Sequence, residues 1–524
     1  MARQQNDKTT LSWCRTETQT KNYRQKMIRN VCLIAREFEG IAGAGGIKDA
    51  VRGLANALSK RQIKVTVFIP RYAFVEKGKH LYDVSLTVNG RSHIVSVSGF
   101  RIEAIEIRLL DSEYFSSKQG IYTYTESDAP TPGMIGKGHL DVHEMNTVLQ
   151  AASIQGIIRE GEAPDIIHGH DGHTGLLTLF MRKYRVQGLL GKTGVLVTIH
   201  NAGIAYQQII ATPRIASRLT GIQEDDFVDG IIDGKVNPLL IAGTHGHINT
   251  VSPEYSRELI SGTDRHSGKL GSTYRSRKIP LKGVYNGIDV SYWLKELYNL
   301  DLDPLYAKHS LRRAVCRLLE AQELTNIRVY GAHPETDAPW VLFHGRLTEQ
   351  KGIASLLELP AKLKAMNYPY RLIIHGQGNQ DIENAIKTTA ESNFEWTFLN
   401  GYSAKLASAL IAASSFIVVP SEWEPCGQID MVGQLLGALP IVRSVGGLKK
   451  VRHNIDGFRY SPKKKDGLAQ VFKVAIAGEC ENKRRLSLMR EIAKKAIYGR
   501  RTWDKVLERG YLPLYEKIRN KHWT

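Results

Sequence analysis

The stretch NVCLIAREFEGIAGAGGIKDAVRGLANALSKRQIKVTVFIP, Asn30 to Pro70, decides the fold. It holds an apolar, strand-like run at 31–35, a glycine-rich loop at 40–46 and a second apolar run at 64–70. Between the loop and the second run, apolar residues recur at helical spacing, at Ile47, Val51, Leu54, Ala55 and Leu58. A strand, a helix and a strand in this order form a βαβ unit with parallel strands and a right-handed crossover.

The alternation of strands and helices continues along the chain in two series. The first series adds strand candidates at 165–168, 195–200 and 247–251, and the second places them at 340–344, 370–375, 396–399, 416–419 and 441–443. A chain of 524 residues is too long for one ordinary core. We therefore predict an α/β protein with two Rossmann-like, doubly wound domains that face each other across a cleft.

The predicted organisation has four parts. They are a basic polar tail at 1–28, a first α/β domain at 29–282, a second α/β domain at 283–500 and a terminal helix at 501–524. The tail lacks apolar periodicity, which is typical of a weakly ordered terminus.

The charge, the apolar runs and the cysteines of the chain limit which kinds of molecule it can bind and where it can be located. The formal net charge of +19 suits nucleic acid, an anionic surface or an anionic substrate. Basic residues are not interleaved with aromatic ones on one element, so an anionic substrate is favoured and no nucleic-acid partner is expected. No apolar run reaches the roughly 18 residues that span a bilayer, so no membrane partner is expected. The five cysteines are scattered without a CxxC pair, which favours a reducing cytoplasm over a disulfide or zinc framework.

The segment PSEWEPCG, Pro420 to Gly427, follows a buried strand and carries a carboxylate and a thiol. Ligands of open α/β sheets bind beyond the carboxyl ends of strands, so Glu424 is a candidate site residue. Cys426 has no histidine near it in sequence, and we interpret it as a packed thiol lining the site rather than a nucleophile.

The segment RLTEQKG, Arg346 to Gly352, ends a similar strand with two cations. Arg346 and Lys351 can meet a diphosphate from one loop. At an effective dielectric constant of about 20, each unit-charge contact at about 4 Å contributes roughly 4 kcal/mol before desolvation. This loop and PSEWEPCG together predict an enzyme that handles a sugar nucleotide.

Three further loops supply polar candidates. Gly45 and Gly46 stand at a helix N-terminus, where backbone amides and the helix dipole favour an anion, and Asp49 follows in the first turn. In HGHDGHTG, Asp171 stands among three histidines that would not share one face, so a cleft-lining strand end is favoured over a metal site. His200 ends the next strand at the same edge.

Several motifs in a fixed order resemble one family. They are AGGIKDAV, HGHDGHTG, TIHNAGIAYQ, TVSPEYSREL, GVYNGIDVSYW, GRLTEQKG, PSEWEPCG and the GGL at Gly446–Leu448. From Val31 to Tyr515 the chain is similar to bacterial glycogen synthases and plant starch synthases, which are retaining GT-B glucosyltransferases. The resemblance implies that the second domain holds most of the nucleotide and that the last helix crosses back to the first domain.

The resemblance also implies residue roles. The catalytic set would be His200, Arg346, Lys351 and Glu424, and the donor-binding set Gly45, Gly46, Asp49, Asp171, Tyr402, Cys426 and Gly427. Tyr402 would stack on the base, and the two cations would meet the diphosphate. Glucose would pass from a nucleotide sugar, with ADP-glucose favoured, to the O4 end of an α-1,4-glucan with retention. The departing phosphate would serve as base, and no metal or cofactor is implied.

The sequence departs from the family pattern at three places. The family has lysine and glycine where Gly43 and Lys48 stand, Leu-Thr where Gln428 and Ile429 stand, and an acidic residue before Thr where Lys450 and Val451 stand. These changes keep UDP-glucose open as the donor. They also keep open a catalytically degenerate, glucan-binding or regulatory protein on the same scaffold.

Overall fold

The computed structural model describes residues 27–184, 188–304, 307–321 and 326–519. The tail predicted at 1–28 lies outside these residues except for Met27 and Ile28, and the end of the predicted terminal segment, 520–524, lies outside them as well. Two large sheets flanked by helices form the framework, which confirms the predicted pair of doubly wound α/β domains.

The first sheet has nine strands and a parallel centre. Its strands, together with a separate two-stranded ribbon β8–β9, are in chain order β1 (Asn30–Ile34), β2 (Lys64–Pro70), β3 (Lys79–Val88), β4 (Arg91–Ile102), β5 (Ile105–Asp111), β6 (Ile166–His170), β7 (Gly194–Ile199), β8 (Ile231–Ile232), β9 (Lys235–Val236), β10 (His247–Thr250) and β11 (Leu281–Gly283). Across the sheet the order is β11-β10-β7-β6-β1-β2-β5-β4-β3. Within this sheet only the pairs β3–β4 and β4–β5 are antiparallel, and they form an edge beyond β2.

The second sheet has seven strands. They are β12 (Arg328–Gly331), β13 (Trp340–His344), β14 (Arg371–Gly376), β15 (Trp396–Asn400), β16 (Phe416–Val419), β17 (Leu439–Arg443) and β18 (Phe458–Tyr460). The order is β12-β15-β14-β13-β16-β17-β18, and only β12 pairs antiparallel with its neighbour. Its central strands are apolar and almost entirely buried, as expected for a parallel sheet covered by helices on both faces.

Helices fill the connections between the strands. Those of the first domain are Gly46–Lys60, Glu113–Ser116, Val142–Glu160, Leu177–Tyr184, Pro213–Thr220, Pro238–His245, Pro253–Ser261 and Leu270–Ser276. Those that follow are Val290–Tyr298, Lys308–Glu320, Ile353–Leu357, Leu359–Leu363, Gln380–Glu391, Ala404–Ala413, Ile429–Leu436, Gly467–Glu481, Lys483–Arg500, Trp503–Val506 and Leu512–Arg519. None of the helices in the described ranges is long and apolar enough to cross a membrane.

The last segment of the chain packs against the first sheet. Tyr515 hydrogen-bonds to His168 Nδ1 at 2.8 Å. A Cβ added to Gly194 at the start of β7 would lie only 2.5 Å from Ile518, and one added to Gly53 would lie 1.9 Å from Trp503. Close contact at these two glycines completes the core of the first domain with side chains from the end of the chain.

Candidate active site

Each sheet has one point where the strand order reverses, and a crevice opens there. In the first sheet this point lies between β1 and β6, and in the second it lies between β13 and β16. Ligands of open α/β sheets bind at such points, beyond the carboxyl ends of the strands. The loops that leave these four strands are the glycine-rich loop, HDGHTG, RLTEQKG and PSEWEPCG. The motifs noted in the sequence therefore flank the two crevices.

An ion pair joins the two loops of the second crevice. Lys351 Nζ donates to Glu424 Oε2 at 2.6 Å, and Ser421 Oγ donates to the same oxygen at 3.1 Å. Burial acts to raise the pKa of Glu424, but Lys351 and Ser421 more than offset it, so the pKa lies below its ordinary value. Glu424 is therefore ionised at neutral pH, which suits a residue that positions charge better than one that donates a proton.

Arg346 lies two residues beyond β13, and its side chain is exposed. Within the described part of the chain, its guanidinium makes no ion pair or hydrogen bond. An arginine in this state is free to form paired hydrogen bonds with phosphate oxygens. The geometry is therefore compatible with the predicted role at a diphosphate.

Cys426 and Gly427 form the turn that precedes the helix Ile429–Leu436. Burial raises the pKa of the Cys426 thiol to about 11, so the sulfur is protonated at neutral pH and is a poor nucleophile. Gly427 has φ +70°, and an added Cβ would lie 2.7 Å from Leu448 and 2.8 Å from Asp430. Only glycine fits this turn without strain, because any side chain here would clash with its neighbours. The backbone of Gly427 can therefore approach the crevice closely.

Asp171 is held in a strained backbone conformation at the first crevice. Its φ of +61° and ψ of −176° lie in a region that is essentially restricted to glycine. Its Oδ1 accepts the backbone N–H of His200 at 2.5 Å and of Asn201 at 3.2 Å. Its Oδ2 is buried and has no partner among the described residues. An unsatisfied carboxylate oxygen at a strained residue is a candidate acceptor for a substrate hydroxyl.

His200 belongs to a line of rings that crosses the end of the first sheet. Its Nε2 lies 2.9 Å from His170 Nδ1, and the rings of His170 and His168 stack with centroids 4.5 Å apart. Burial lowers the pKa of His200 to about 3, so the imidazole is neutral and can donate one hydrogen bond while it accepts another. His173 instead packs against Tyr122, in agreement with the prediction that the three histidines do not share one face.

Replacing Asp171 with asparagine is expected to change how stability depends on pH. Burial raises the pKa of Asp171 to about 7, whereas an unfolded aspartate has a pKa of about 3.9. Between about pH 4 and 7 the folded state binds the proton more tightly, so this group lowers wild-type stability as pH rises, by up to about 1.4 kcal/mol per unit. Asparagine keeps the Oδ1 acceptor and does not titrate.

Urea denaturation at pH 4.5, 6 and 7.5 tests this expectation for Asp171→Asn. The free energy of unfolding of the variant should rise relative to wild type across this window and level off above about pH 7. A difference that stays constant from pH 4.5 to 7.5 would show that Asp171 does not titrate there.

The glycine-rich loop already holds an internal anion. Ala44 N–H and Gly45 N–H both donate to Glu37 Oε2, each at 2.7 Å, and Tyr122 donates to the other oxygen of Glu37. This corrects the expectation that the Gly45 amide is open to a phosphate, because the Glu37 carboxylate takes that place. Gly46 faces the second domain instead, since an added Cβ would lie 3.3 Å from Gln428 Oε1.

Lys48 reaches back across the same loop. A Cβ on Gly43 would lie 2.2 Å from Lys48 Cδ, so this lysine conformation requires glycine at position 43. Lys48 Nζ pairs with Asp49 Oδ1 at 2.8 Å and also with Glu39. The two departures at positions 43 and 48 are thus structurally coupled, and the predicted donor contact Asp49 is bound to Lys48 in this structure.

Tyr402 lies beyond β15 with its ring half exposed. The ring of His344 lies nearly parallel to it, with centroids 6.3 Å apart. His344 Nδ1 in turn lies 3.0 Å from His375 Nδ1 at the ends of β13 and β14. The outer part of the Tyr402 ring is open to solvent, which suits stacking on a nucleotide base.

Loops of the two domains are in contact beside the second crevice. Ser252 Oγ donates to the Pro425 carbonyl at 2.6 Å, and the His266 and Trp423 rings stack with centroids 3.8 Å apart. Glu258 accepts the Gly446 N–H at 3.0 Å. The PSEWEPCG loop is therefore in direct contact with the first domain.

Comparison with known proteins identifies the family. The starch synthase catalytic domain matches residues 30–272, and the group 1 glycosyl transferases match residues 331–496. The glycogen synthase of Geotalea daltonii is 30% identical over 432 residues, which cover 80% of this chain and 84% of the relative. The chain belongs to the glycogen and starch synthase family. It is a glycosyltransferase, and the family predicted from the motifs is confirmed.

Other members of the glycogen and starch synthase family match nearly the whole chain. The glycogen synthase of Photobacterium profundum is 27% identical over 508 residues, which cover 93% of this chain and 94% of the relative. The family assignment therefore extends over both domains.

Two solved structures share the fold. One is the catalytic domain of starch synthase IV from Arabidopsis thaliana bound to ADP and acarbose, with a TM-score of 0.76, 20% identity and coverage of 94% of this chain and 100% of that one. The other is the sucrose-phosphate synthase of Thermosynechococcus elongatus, with a TM-score of 0.54, 15% identity and coverage of 93% and 98%. The predicted GT-B fold is confirmed.

Residues whose roles sequence reasoning missed complete both crevices. Glu37 fills the glycine-rich loop, and Lys450 with Asp430 forms a buried ion pair beneath PSEWEPCG. Glu37 stands three residues past β1, at the sheet edge where ligands bind, and that position was the available signal. Lys450 was noted only as a departure from the family pattern, and nothing in the sequence paired it with Asp430, because their partnership exists only in the folded chain.

Proposed function

We propose that this chain transfers glucose from a nucleotide sugar to the non-reducing O4 end of an α-1,4-glucan with retention of configuration. The observation that carries the proposal is the Lys351–Glu424 ion pair in the second crevice, with the unpaired Arg346 on the same loop as Lys351. The names of the relatives, glycogen synthase and starch synthase, support a glucan as acceptor.

The residues of the second crevice suit stabilisation of a departing diphosphate. Arg346 is free to bind phosphate oxygens, and Lys351 is directed by Glu424. Charge that develops on the leaving group is the kind of charge that preorganised cations stabilise best in a water-poor site. The loop backbone at Cys426 and Gly427 provides the close approach that the distal phosphate and the sugar require.

The same residues argue against a double displacement at Glu424. In a double displacement the carboxylate nucleophile works with a second carboxyl group about 5 Å away. Lys351 and Ser421 both bind Glu424 Oε2, so this carboxylate is held as the fixed partner of a cation. We therefore propose that the acceptor attacks on the face of the leaving group and that the departing phosphate takes its proton. Asp171 Oδ2 and the neutral His200 then hold glucose hydroxyls in the first crevice.

We propose ADP-glucose as the donor, with Tyr402 stacked on the base. UDP-glucose is the alternative, since an aromatic face accepts either base.

The cytoplasmic location inferred from the scattered cysteines also stays a prediction.

The proposal is tested by incubating the purified chain with glycogen and either ADP-glucose or UDP-glucose. We expect release of the nucleoside diphosphate, faster with ADP-glucose, and lengthening of chains that an α-1,4-specific hydrolase removes. Reactions without glycogen report donor hydrolysis and serve as the control. No release from either donor by folded protein would overturn the proposal, and glycogen binding without nucleotide binding would favour a degenerate glucan-binding scaffold.

A further inference from the structure

A buried ion pair lies directly beneath the PSEWEPCG loop. Lys450 Nζ is 2.7 Å from Asp430 Oδ2, and the two side chains are 3% and 0% exposed. Asp430 stands in the first turn of the helix Ile429–Leu436, and Lys450 ends the short 3₁₀ helix Gly446–Lys450. Replacing a buried ion pair with apolar residues is often neutral or stabilising, so stability alone is a weak reason for this pair.

The ammonium of Lys450 also binds the backbone of two loops. It donates to the carbonyl of Cys426 at 2.6 Å, of Gly427 at 2.9 Å and of Gly447 at 3.2 Å. One buried cation thus ties the PSEWEPCG loop to the GGL loop. These hydrogen bonds carry a full charge in a dry environment, so they fix the carbonyls more firmly than neutral bonds would.

Fixing the carbonyls also fixes the amides on the other side of the loop. In a planar trans peptide the C=O and the following N–H point in opposite directions. Because the carbonyls of Cys426 and Gly427 point at Lys450, the N–H groups of Gly427 and Gln428 point away from it. Neither N–H donates to another group within the ranges that the structure describes. Lys450 therefore keeps two adjacent donors free at the start of a helix.

The two loops that Lys450 joins are tightly packed against each other. A Cβ on Gly446 would lie 2.2 Å from the Glu424 carbonyl, and one on Gly447 would lie 2.3 Å from the Cys426 carbonyl. Gly447 N–H also donates to the Glu424 carbonyl at 2.8 Å. A shift of Lys450 would therefore move the backbone at Glu424 and Cys426.

We propose that Lys450 is a positioning residue that holds the PSEWEPCG backbone in the shape that binds the nucleotide-sugar donor. The inference rests on the proposed function, because it assigns the loop to the donor. It also accounts for a departure from the family pattern, since an acidic residue at position 450 could not bind these carbonyls. Lys450 acts through the Cys426 and Gly427 peptides and does not touch the donor itself.

Removing both charges of the ion pair separates the effect of the Lys450 bonds to the carbonyls from the effect of an uncompensated buried charge. The double variant Lys450→Met/Asp430→Asn leaves no uncompensated buried charge but loses the three bonds to carbonyls. The matched control is Arg452→Met/Asp456→Asn, which removes an ion pair of the same 2.7 Å length in the same domain without a bond to either loop. Melting temperature and Michaelis constants for the nucleotide sugar and for glycogen are measured on wild type and both doubles.

We expect the Lys450→Met/Asp430→Asn variant to melt within a few degrees of wild type. Its Michaelis constant for the nucleotide sugar should rise at least tenfold, while that for glycogen stays within twofold, and the control should match wild type in both. A donor Michaelis constant within twofold of wild type would overturn the proposal. It would mean that the Lys450 bonds to the carbonyls do not affect donor binding and that the ion pair contributes only to stability.

A second variant, Asp430→Asn, can contradict the proposal even if the double variant does not fold. Asp430→Asn keeps Lys450 and its three carbonyl bonds, so its donor Michaelis constant should stay within threefold of wild type, whereas a tenfold rise would overturn the proposal. If wild type turns over neither donor, the proposed function fails, and calorimetric titration with ADP still tests Lys450. Binding at least tenfold weaker in the double variant supports the inference, and equal binding overturns it.

Discussion

Lys351→Ala is expected to lower turnover with glycogen and ADP-glucose at least 100-fold, which corresponds to about 2.7 kcal/mol of transition-state stabilisation. Two losses combine in this variant. The leaving diphosphate loses a cation that Glu424 holds in place at 2.6 Å, and Glu424 itself is left as a largely buried carboxylate without its cation. The rate of nucleoside diphosphate release at saturating donor measures the effect.

The matched control for Lys351 is Lys362→Ala. Lys362 lies in the same domain and also pairs with carboxylates, Glu358 and Asp466. These partners are 62% and 38% exposed, against 13% for Glu424, and Lys362 lies outside the crevice loops. Its loss should leave turnover within twofold of wild type, because exposed ion pairs contribute little. Near-wild-type turnover of folded Lys351→Ala would remove Lys351 from the catalytic site.

Glu424→Ala is expected to lower turnover by at least 100-fold as well, for a different reason. The variant keeps the cation but frees the Lys351 side chain, which then loses the direction that Glu424, itself held by Ser421, imposes. Misplacement by about 1 Å at a site of this kind can cost a factor of about 100. Steady-state kinetics with both substrates varied should place most of the loss in the turnover number.

A double-mutant cycle tests whether Lys351 and Glu424 act as a unit. The double alanine variant should be little slower than either single variant, because groups that act together give strongly non-additive losses. Glu358→Ala, which removes a partner of the control lysine, should leave the rate unchanged. Losses that multiply in the double variant would mean that the two residues contribute independently.

The sequence predicted the parallel core and the loops at both crevices. Apolar runs such as Phe416–Val419 are buried on both faces, and such strands carry the strongest local signal. The order of strands across each sheet did not follow from periodicity. It decides, however, that the motif loops after β1, β6, β13 and β16 flank the crevices.

The antiparallel edge of the first sheet was not predicted. β3 and β4 pair from Lys79 to Gly99, and many of their side chains are exposed, so polar and apolar residues are mixed along both strands. A half-exposed edge strand has a weaker apolar pattern than a central one. Tertiary pairing with β5 stabilises this edge, and no window of the sequence shows that pairing by itself.

The partnerships within the site were the least predictable feature. Lys351 and Glu424 are 73 residues apart, and Glu37 meets the backbone of Gly45 eight residues later. Residue type and strand-end position indicated Lys351 and Glu424 as candidate site residues, but not that they contact each other. Which groups are already engaged, and which remain free as Arg346 does, depends on side-chain distances that only the folded chain defines.

The contact of Tyr515 and Ile518 with the first sheet has a consequence for biosynthesis. The segment with Tyr515 and Ile518 is translated after both sheets, and it fills the core of the first domain. Domains usually fold in order as they emerge, but here the first domain lacks part of its interior until the second domain has also been translated. We expect a ribosome-bound chain that stops at residue 500 to be cleaved by protease in its N-terminal half much faster than the released protein.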